Sequence, residues 1–149
     1  MFLMEPVKYY LVIIIFYAST FSAPAEEVFT DAVPLEADKA FVIDHMVAGP
    51  NEVVVRLQIS ENYYLYKEKF IFSSIDFNID DVNFPPATVK IDEFFGLSEV
   101  YFNVMETILQ ISPKLSGTSN GILEVAYQGC WEGGVCYPLT RKYLQIREL

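Results

Sequence analysis

Apolar residues in this chain recur at every second position, and no stretch of a dozen residues carries an i, i+3, i+4, i+7 apolar stripe free of a breaker. A period of two sends alternate side chains to opposite faces of an extended strand, so the pattern commits the chain to sheets rather than packed helices. Val53, Val55, Leu57 and Ile59 alternate with Val54, Arg56 and Gln58; Thr107, Leu109 and Ile111 alternate with Glu106, Ile108 and Gln110. Further β-rich runs fall at residues 40–44, 63–66, 70–72, 88–91, 122–127 and 142–146. Gly49-Pro50-Asn51, Glu61-Asn62, Pro85-Pro86, Ser112-Pro113 and the polar stretch 116–121 punctuate them as turns. Eight or so short strands, with no internal repeat and no long linker, predict an all-β fold, an immunoglobulin-like β-sandwich.

The N-terminus follows a different rule. From Tyr9 to Ala18 an apolar run of ten residues is preceded by Lys8 and followed by small residues, the order of a secretory signal peptide. It falls short of the roughly 20 apolar residues a membrane span requires. Ala23-Pro24-Ala25 offers a cleavage site, with cleavage after Ser22 as the competing choice, so residues 1–25 are expected to be a signal peptide and 26–149 the exported domain. The signal segment holds one acid and one base, Glu5 and Lys8, so the whole net charge of −10 belongs to the domain. Such acidity disfavours nucleic acid and anionic membrane surfaces, whose binding rests on basic side chains.

Export changes the meaning of the only two cysteines, Cys130 and Cys136, because a nearby pair in an oxidising compartment defaults to a disulfide. Two cysteines are too few for a disulfide-stapled miniprotein, and C-x5-C matches no common zinc pattern, so neither metal nor cofactor is expected. The chain has no G-x-S-x-G and no Gly-rich phosphate loop. Its single histidine, His45, reads as an ordinary surface or strand-end residue.

The cysteines sit in Tyr127-Gln128-Gly129-Cys130-Trp131-Glu132-Gly133-Gly134-Val135-Cys136-Tyr137-Pro138. The Gly-Gly pair permits positive φ, so the chain can reverse and bring the Cα atoms to the 4.4–6.8 Å that a disulfide needs. Closing so short a loop stabilises by only about 2.4 kcal/mol, against about 4.7 for a loop of 100 residues. A structural staple in a sandwich more often ties distant strands, so a local pair among Tyr127, Trp131 and Tyr137 is equally a candidate for exchange chemistry. Both readings stand on the residues alone, the first being that of a secreted immunoglobulin-like binding module.

Three motifs together carry a resemblance. Y-Q-G-C-x5-C-Y-P, Asn62-Tyr63-Tyr64-Leu65-Tyr66-Lys67 and the run from Asp92-Glu93-Phe94-Phe95-Gly96 to Tyr101 resemble, in order, the N-terminal periplasmic domain of the thiol:disulfide interchange protein DsbD. The resemblance implies an immunoglobulin-like sandwich in the periplasm whose Cys130–Cys136 pair takes electrons from a thioredoxin-like domain. The implied acceptors are periplasmic disulfide isomerases and the thioredoxin-like protein of cytochrome c maturation. It further implies that Asp92 and Glu93 are an acidic pair beside the cysteines, that Phe94 is the aromatic of a cap loop, and that Tyr64 and Tyr66 are active-site tyrosines. Read without it, Asp92-Glu93 is a solvated turn, Phe94-Phe95 is core, and the two tyrosines are a packed sandwich face.

Exchange proceeds by attack of a thiolate on one sulfur through a mixed disulfide, so such a site must expose a sulfur to its partner and hide it otherwise. Acids beside the pair disfavour a thiolate, or relay a proton; the sequence leaves both open. The resemblance favours Cys136 as the partner-linked sulfur. Trp131 stands where a smaller residue is expected in the family, either enlarging the docking surface or shielding the loop. The family's membrane domain and C-terminal thioredoxin-like domain have no counterpart in these 149 residues. Membrane association and the electron supply are therefore expected from a separate or further segment.

Overall fold

The computed structural model describes residues 33–149; the expected signal peptide, residues 1–25, lies outside the described residues. After a single helical turn α1 (Ala37–Ala40), twelve strands follow: β1 (Phe41–Gly49), β2 (Glu52–Ile59), β3 (Tyr63–Tyr66), β4 (Ile71–Ser74), β5 (Phe77–Asn83), β6 (Thr88–Asp92), β7 (Gly96–Tyr101), β8 (Val104–Pro113), β9 (Gly121–Tyr127), β10 (Gly129–Trp131), β11 (Val135–Cys136) and β12 (Thr140–Ile146). They form an immunoglobulin-like sandwich of a four-stranded sheet ordered β1-β2-β8-β5, a five-stranded sheet ordered β11-β10-β3-β7-β6, and a three-stranded sheet ordered β12-β9-β4.

The period-two positions face inward as expected. Val53, Val55, Leu57 and Ile59 on β2, and Thr107, Leu109 and Ile111 on β8, are buried, joined by Leu65, Leu123, Val125 and Ile146 from the other two sheets. Four strands exceed the expected set, β5, β7, β10 and β11, because short polar or glycine-containing segments gain strand geometry only from their partners. Ser112-Pro113 ends β8 rather than forming a turn. Proline is tolerated there because β2, the other neighbour of β8, stops pairing at Gln110, so no ladder bond is asked of the missing N–H. His45 lies within β1 opposite Val55, and its Nε2 is 2.9 Å from the Gln145 carbonyl oxygen of β12. The strand continues past the expected residue 44 to Gly49, which makes His45 a mid-strand residue.

The five-stranded sheet has two working faces. Tyr63 and Leu65 of β3 point into the core shared by all three sheets, while Tyr64 and Tyr66 point to the opposite face and meet Val100 and Cys130.

Candidate functional site

Cys130 and Cys136 are direct partners in the β10–β11 register and form a disulfide. Tyr137 N–H donates to Gly129 O at 2.9 Å, which marks the flanking pair as hydrogen-bonded and the cysteine pair as the non-bonded position between. Strands approach most closely there, which accounts for a Cα separation of 4.0 Å, shorter than the general disulfide range. Gly134 closes the hairpin, donating its N–H to Trp131 O with φ of 91°, a conformation that favours glycine. Trp131 folds back over this loop: a Cβ on Gly133 would strike its indole, whose other contacts run into the main core. The ring therefore shields the loop rather than projecting from it.

Gly129 fixes the hairpin against β3. A Cβ there would stand 2.6 Å from the Tyr64 carbonyl oxygen and 2.6 Å from the Phe41 ring, so only glycine allows the register Gly129↔Leu65, Cys130↔Tyr64. That register places Tyr66 Oη 3.2 Å from Cys130 Sγ and 3.9 Å from Cys136 Sγ. Cys130 is fully buried, whereas Cys136 is partly exposed.

Asp92, at the end of β6, is the centre of the site and is only 7% exposed. Its Oδ2 accepts hydrogen bonds from the hydroxyls of Tyr64, at 3.1 Å, and Tyr66. Its Oδ1 accepts the backbone N–H groups of Phe94 at 2.8 Å and Phe95 at 2.6 Å, an Asx turn that starts the β6–β7 loop. Burial alone would raise this carboxyl, but the bonds from Tyr66, the two amides and Tyr64 outweigh it and hold its pKa below the ordinary carboxylate value. Both tyrosines are pushed upward, first by burial and, for Tyr66, next by its bond to Asp92. At neutral pH the site thus contains an ionised Asp92 and protonated phenols, with Tyr66 between the carboxylate and the Cys130 sulfur.

The adjacent acids diverge. Glu93 is exposed, and its Oε1 lies 3.5 Å from where a Cβ on Gly134 would stand, so its carboxylate rests beside the disulfide hairpin. Phe94 and Phe95 are each 44% exposed, and it is Phe95 that packs edge-on against Tyr66, with ring centroids 4.9 Å apart. Lys90 spans the far side: its Nζ is 3.1 Å from Glu132 and 5.0 Å from the Tyr64 ring centroid. Phe95, Val100, Phe102 and Lys90 have no signal in the sequence that separates them from ordinary loop or strand residues; only the cross-strand register brings them to Tyr64 and Tyr66.

Fold and site define an immunoglobulin-like domain whose hairpin disulfide lies against a tyrosine that is in turn held by a buried carboxylate and an aromatic loop. The family model described as "Thiol:disulfide interchange protein DsbD, N-terminal" matches residues 31–148, and the chain belongs to this family. It is 34% identical over 113 residues to the thiol:disulfide interchange protein DsbD of Pseudoalteromonas atlantica, covering 75% of this chain and 18% of that protein. The DsbD of Escherichia coli K12 is 32% identical over 133 residues, covering 89% of this chain and 22% of that one. The chain spans about a fifth of the length of these curated relatives. Among solved structures, the DsbD N-terminal domain of Neisseria meningitidis in its reduced form superposes with a TM-score of 0.66 at 29% identity, covering 78% of this chain and 90% of that one. The complex between the DsbD and PilB N-terminal domains from the same organism gives 0.60 at 29% identity, covering 74% and 85%.

Proposed function

We propose that residues 26–149 form a periplasmic thiol:disulfide exchange domain, exported by a signal peptide at 1–25, that passes two electrons at a time through Cys130 and Cys136. The donor is a thioredoxin-like domain, and the acceptors are periplasmic disulfide isomerases and the thioredoxin-like oxidoreductase of cytochrome c maturation. The observation that carries this reading is the contact of Tyr66 with both sulfurs and Asp92 beneath the β6–β7 loop. A structural staple has no use for a buried carboxylate held by four donors beside it.

In the reductive half, a partner thiolate attacks Sγ of Cys136, the less buried cysteine. A new S–S bond forms as the Cys130–Cys136 bond breaks, and Cys130 leaves with the electron pair and takes up a proton. The partner's second thiol then attacks its own sulfur in the mixed disulfide and releases Cys136. The partner ends oxidised and this pair reduced, by two electrons and two protons; reduction of an acceptor runs the same steps in reverse.

Of the two roles open to the acids, the lowered pKa of Asp92 favours charge over proton relay, because an ionised carboxylate has no proton to give and one held below the usual range is a weak base toward a thiol. Its negative charge, with Tyr66 between, disfavours the Cys130 thiolate and keeps the reduced pair quiet until a partner docks. Tyr64 and Tyr66 hold Asp92 in place; Glu93 adds charge beside the hairpin; Phe94 belongs to the loop that covers the pair.

Trapping tests the reading. Cys130→Ser, whose retained Cys136 is first carried as a mixed disulfide with thionitrobenzoate, is expected to capture the single thiol of a thioredoxin-like domain lacking its resolving cysteine, releasing thionitrobenzoate as the leaving group, and Cys136→Ser treated in the same way to capture far less. Capture by neither variant, with a reduction potential below about −300 mV on equilibration with glutathione, overturns it.

A further inference from the structure

Three lysines stand around the site, and they are held in different ways. Lys67 Nζ pairs with Glu99, 3.0 Å from each carboxylate oxygen, and Lys90 Nζ with Glu132 at 3.1 Å. Lys69, at the end of the 3-10 turn Lys67–Lys69 that follows β3, is in no ion pair among the described residues, although acids outnumber bases two to one in the chain. Its ammonium instead lies 4.5 Å from the centroid of the Phe95 ring. A cation over an aromatic face is drawn to the negative π-surface of the ring.

The other contacts of that ring give the position its consequence. Phe95 has its N–H on Asp92 Oδ1 and its ring edge-on to Tyr66, whose hydroxyl touches the Cys130 sulfur. Ammonium, ring, phenol and sulfur therefore form one contiguous stack. The loop is anchored at its start by the Asp92 carboxylate, but Phe95 itself is 44% exposed and meets the small buried cluster only at its edge, through Tyr66. Lys69 approaches it from a different element, so it ties the β6–β7 loop to the turn that follows β3.

We propose that Lys69 is a positioning residue of the exchange site: by holding the Phe95 ring down on Tyr66 it keeps the β6–β7 loop closed over the disulfide and sets how often the pair opens to attack. This rests on the reading that Cys130 and Cys136 exchange. The closed and open loops are two populations, and a contact made only in the closed one shifts their ratio by its own strength. For a partly exposed cation–π contact the shift is about two- to fivefold.

The test measures reduction of the oxidised full chain by dithiothreitol, read by mass-tagging the new thiols. Lys69→Gln is expected to raise the rate about two- to fivefold, and Lys69→Arg, which keeps a cation over the ring, to restore it. Lys67→Gln, which removes a neighbouring charge paired with Glu99, is expected to leave the rate unchanged. In a Phe95→Leu background the Lys69→Gln effect is expected to vanish, a result that general loosening of the fold would not give. Equal rates for wild type and Lys69→Gln, or an equal rise in the Phe95→Leu background, overturn the proposal while leaving the exchange function intact. Failure of the pair to exchange with any thioredoxin-like partner in the trapping experiment would instead remove the reading on which it rests.

Discussion

On one side of β3, Tyr63 and Leu65 join a core shared by three sheets; on the other, Tyr64 and Tyr66 join Val100 and Cys130 in a much smaller cluster. The first region is held by apolar contact. Phe41 meets Tyr63, Tyr127 and Tyr137 edge-on with centroids 5.5–6.1 Å apart, and Leu65 lies among them fully buried. The second is held by a charge, since Asp92 gathers four hydrogen bonds, two from β3 and two from the β6–β7 loop. Apolar packing is non-directional and scales with the area and volume buried, whereas a buried carboxylate depends on the direction and number of its donors. The contrast separates what keeps the domain folded from what keeps its disulfide quiet.

Substitutions that act on one face alone break or sharpen that separation. The largest expected effect is on the core face: Leu65→Ala should cost about 2–5 kcal/mol in urea denaturation, with dithiothreitol reduction of the folded fraction unchanged. A parallel change in reduction rate would show that the two faces are not independent. Tyr66→Phe, on the other face, should cost about 1–3 kcal/mol, because the buried Asp92 loses a donor, and unlike Leu65→Ala it should alter the reduction rate. Asp92→Asn should lower the thiol pKa of the reduced protein by about one unit, as removal of a nearby negative charge requires. Alkylation rate against pH measures it, and an unchanged or higher pKa would refute the charge role.

The smallest effect concerns pH and touches both faces. Burial pushes Tyr101 and Tyr127 up to about 12, and Tyr66 is raised further by its bond to Asp92. A phenol whose folded pKa exceeds its unfolded value contributes stability in full below pH 10, and that contribution falls away as pH rises through the folded value. Stability should hold to about pH 10 and decline between 10 and 12, measured as the urea midpoint against pH. A urea midpoint that stays level between pH 10 and 12 would contradict this. The contrast between faces persists here, since Tyr127 Oη has no hydrogen-bond partner among the described residues while Tyr66 Oη is bound to Asp92.

Much of the architecture was legible because the core face needs only periodicity. Val53 to Ile59 and Thr107 to Ile111 announce their inward positions, and Tyr63-Tyr64-Leu65-Tyr66 announces that alternate residues part company. The site was legible in part, through the pairing of Cys130 with Cys136 and the one-face placement of Tyr64 and Tyr66. Which of two adjacent acids turns inward was not, because Asp92 and Glu93 differ by position in a turn rather than by any period. The same holds for Phe94 and Phe95.

By itself, the sequence determined the sheet class, the division of β3 between two faces and the reach of one cysteine to the other, since each follows from local geometry over a few residues. Only the tertiary structure decided that Asp92 is the buried acid, that Phe95 is the ring on Tyr66, and that Lys69 lies over that ring. Those outcomes depend on register between strands up to 70 positions apart in the chain, such as Tyr66 beside Cys136. Registers of that kind are set by the packing of the whole sandwich, to which no local pattern has access.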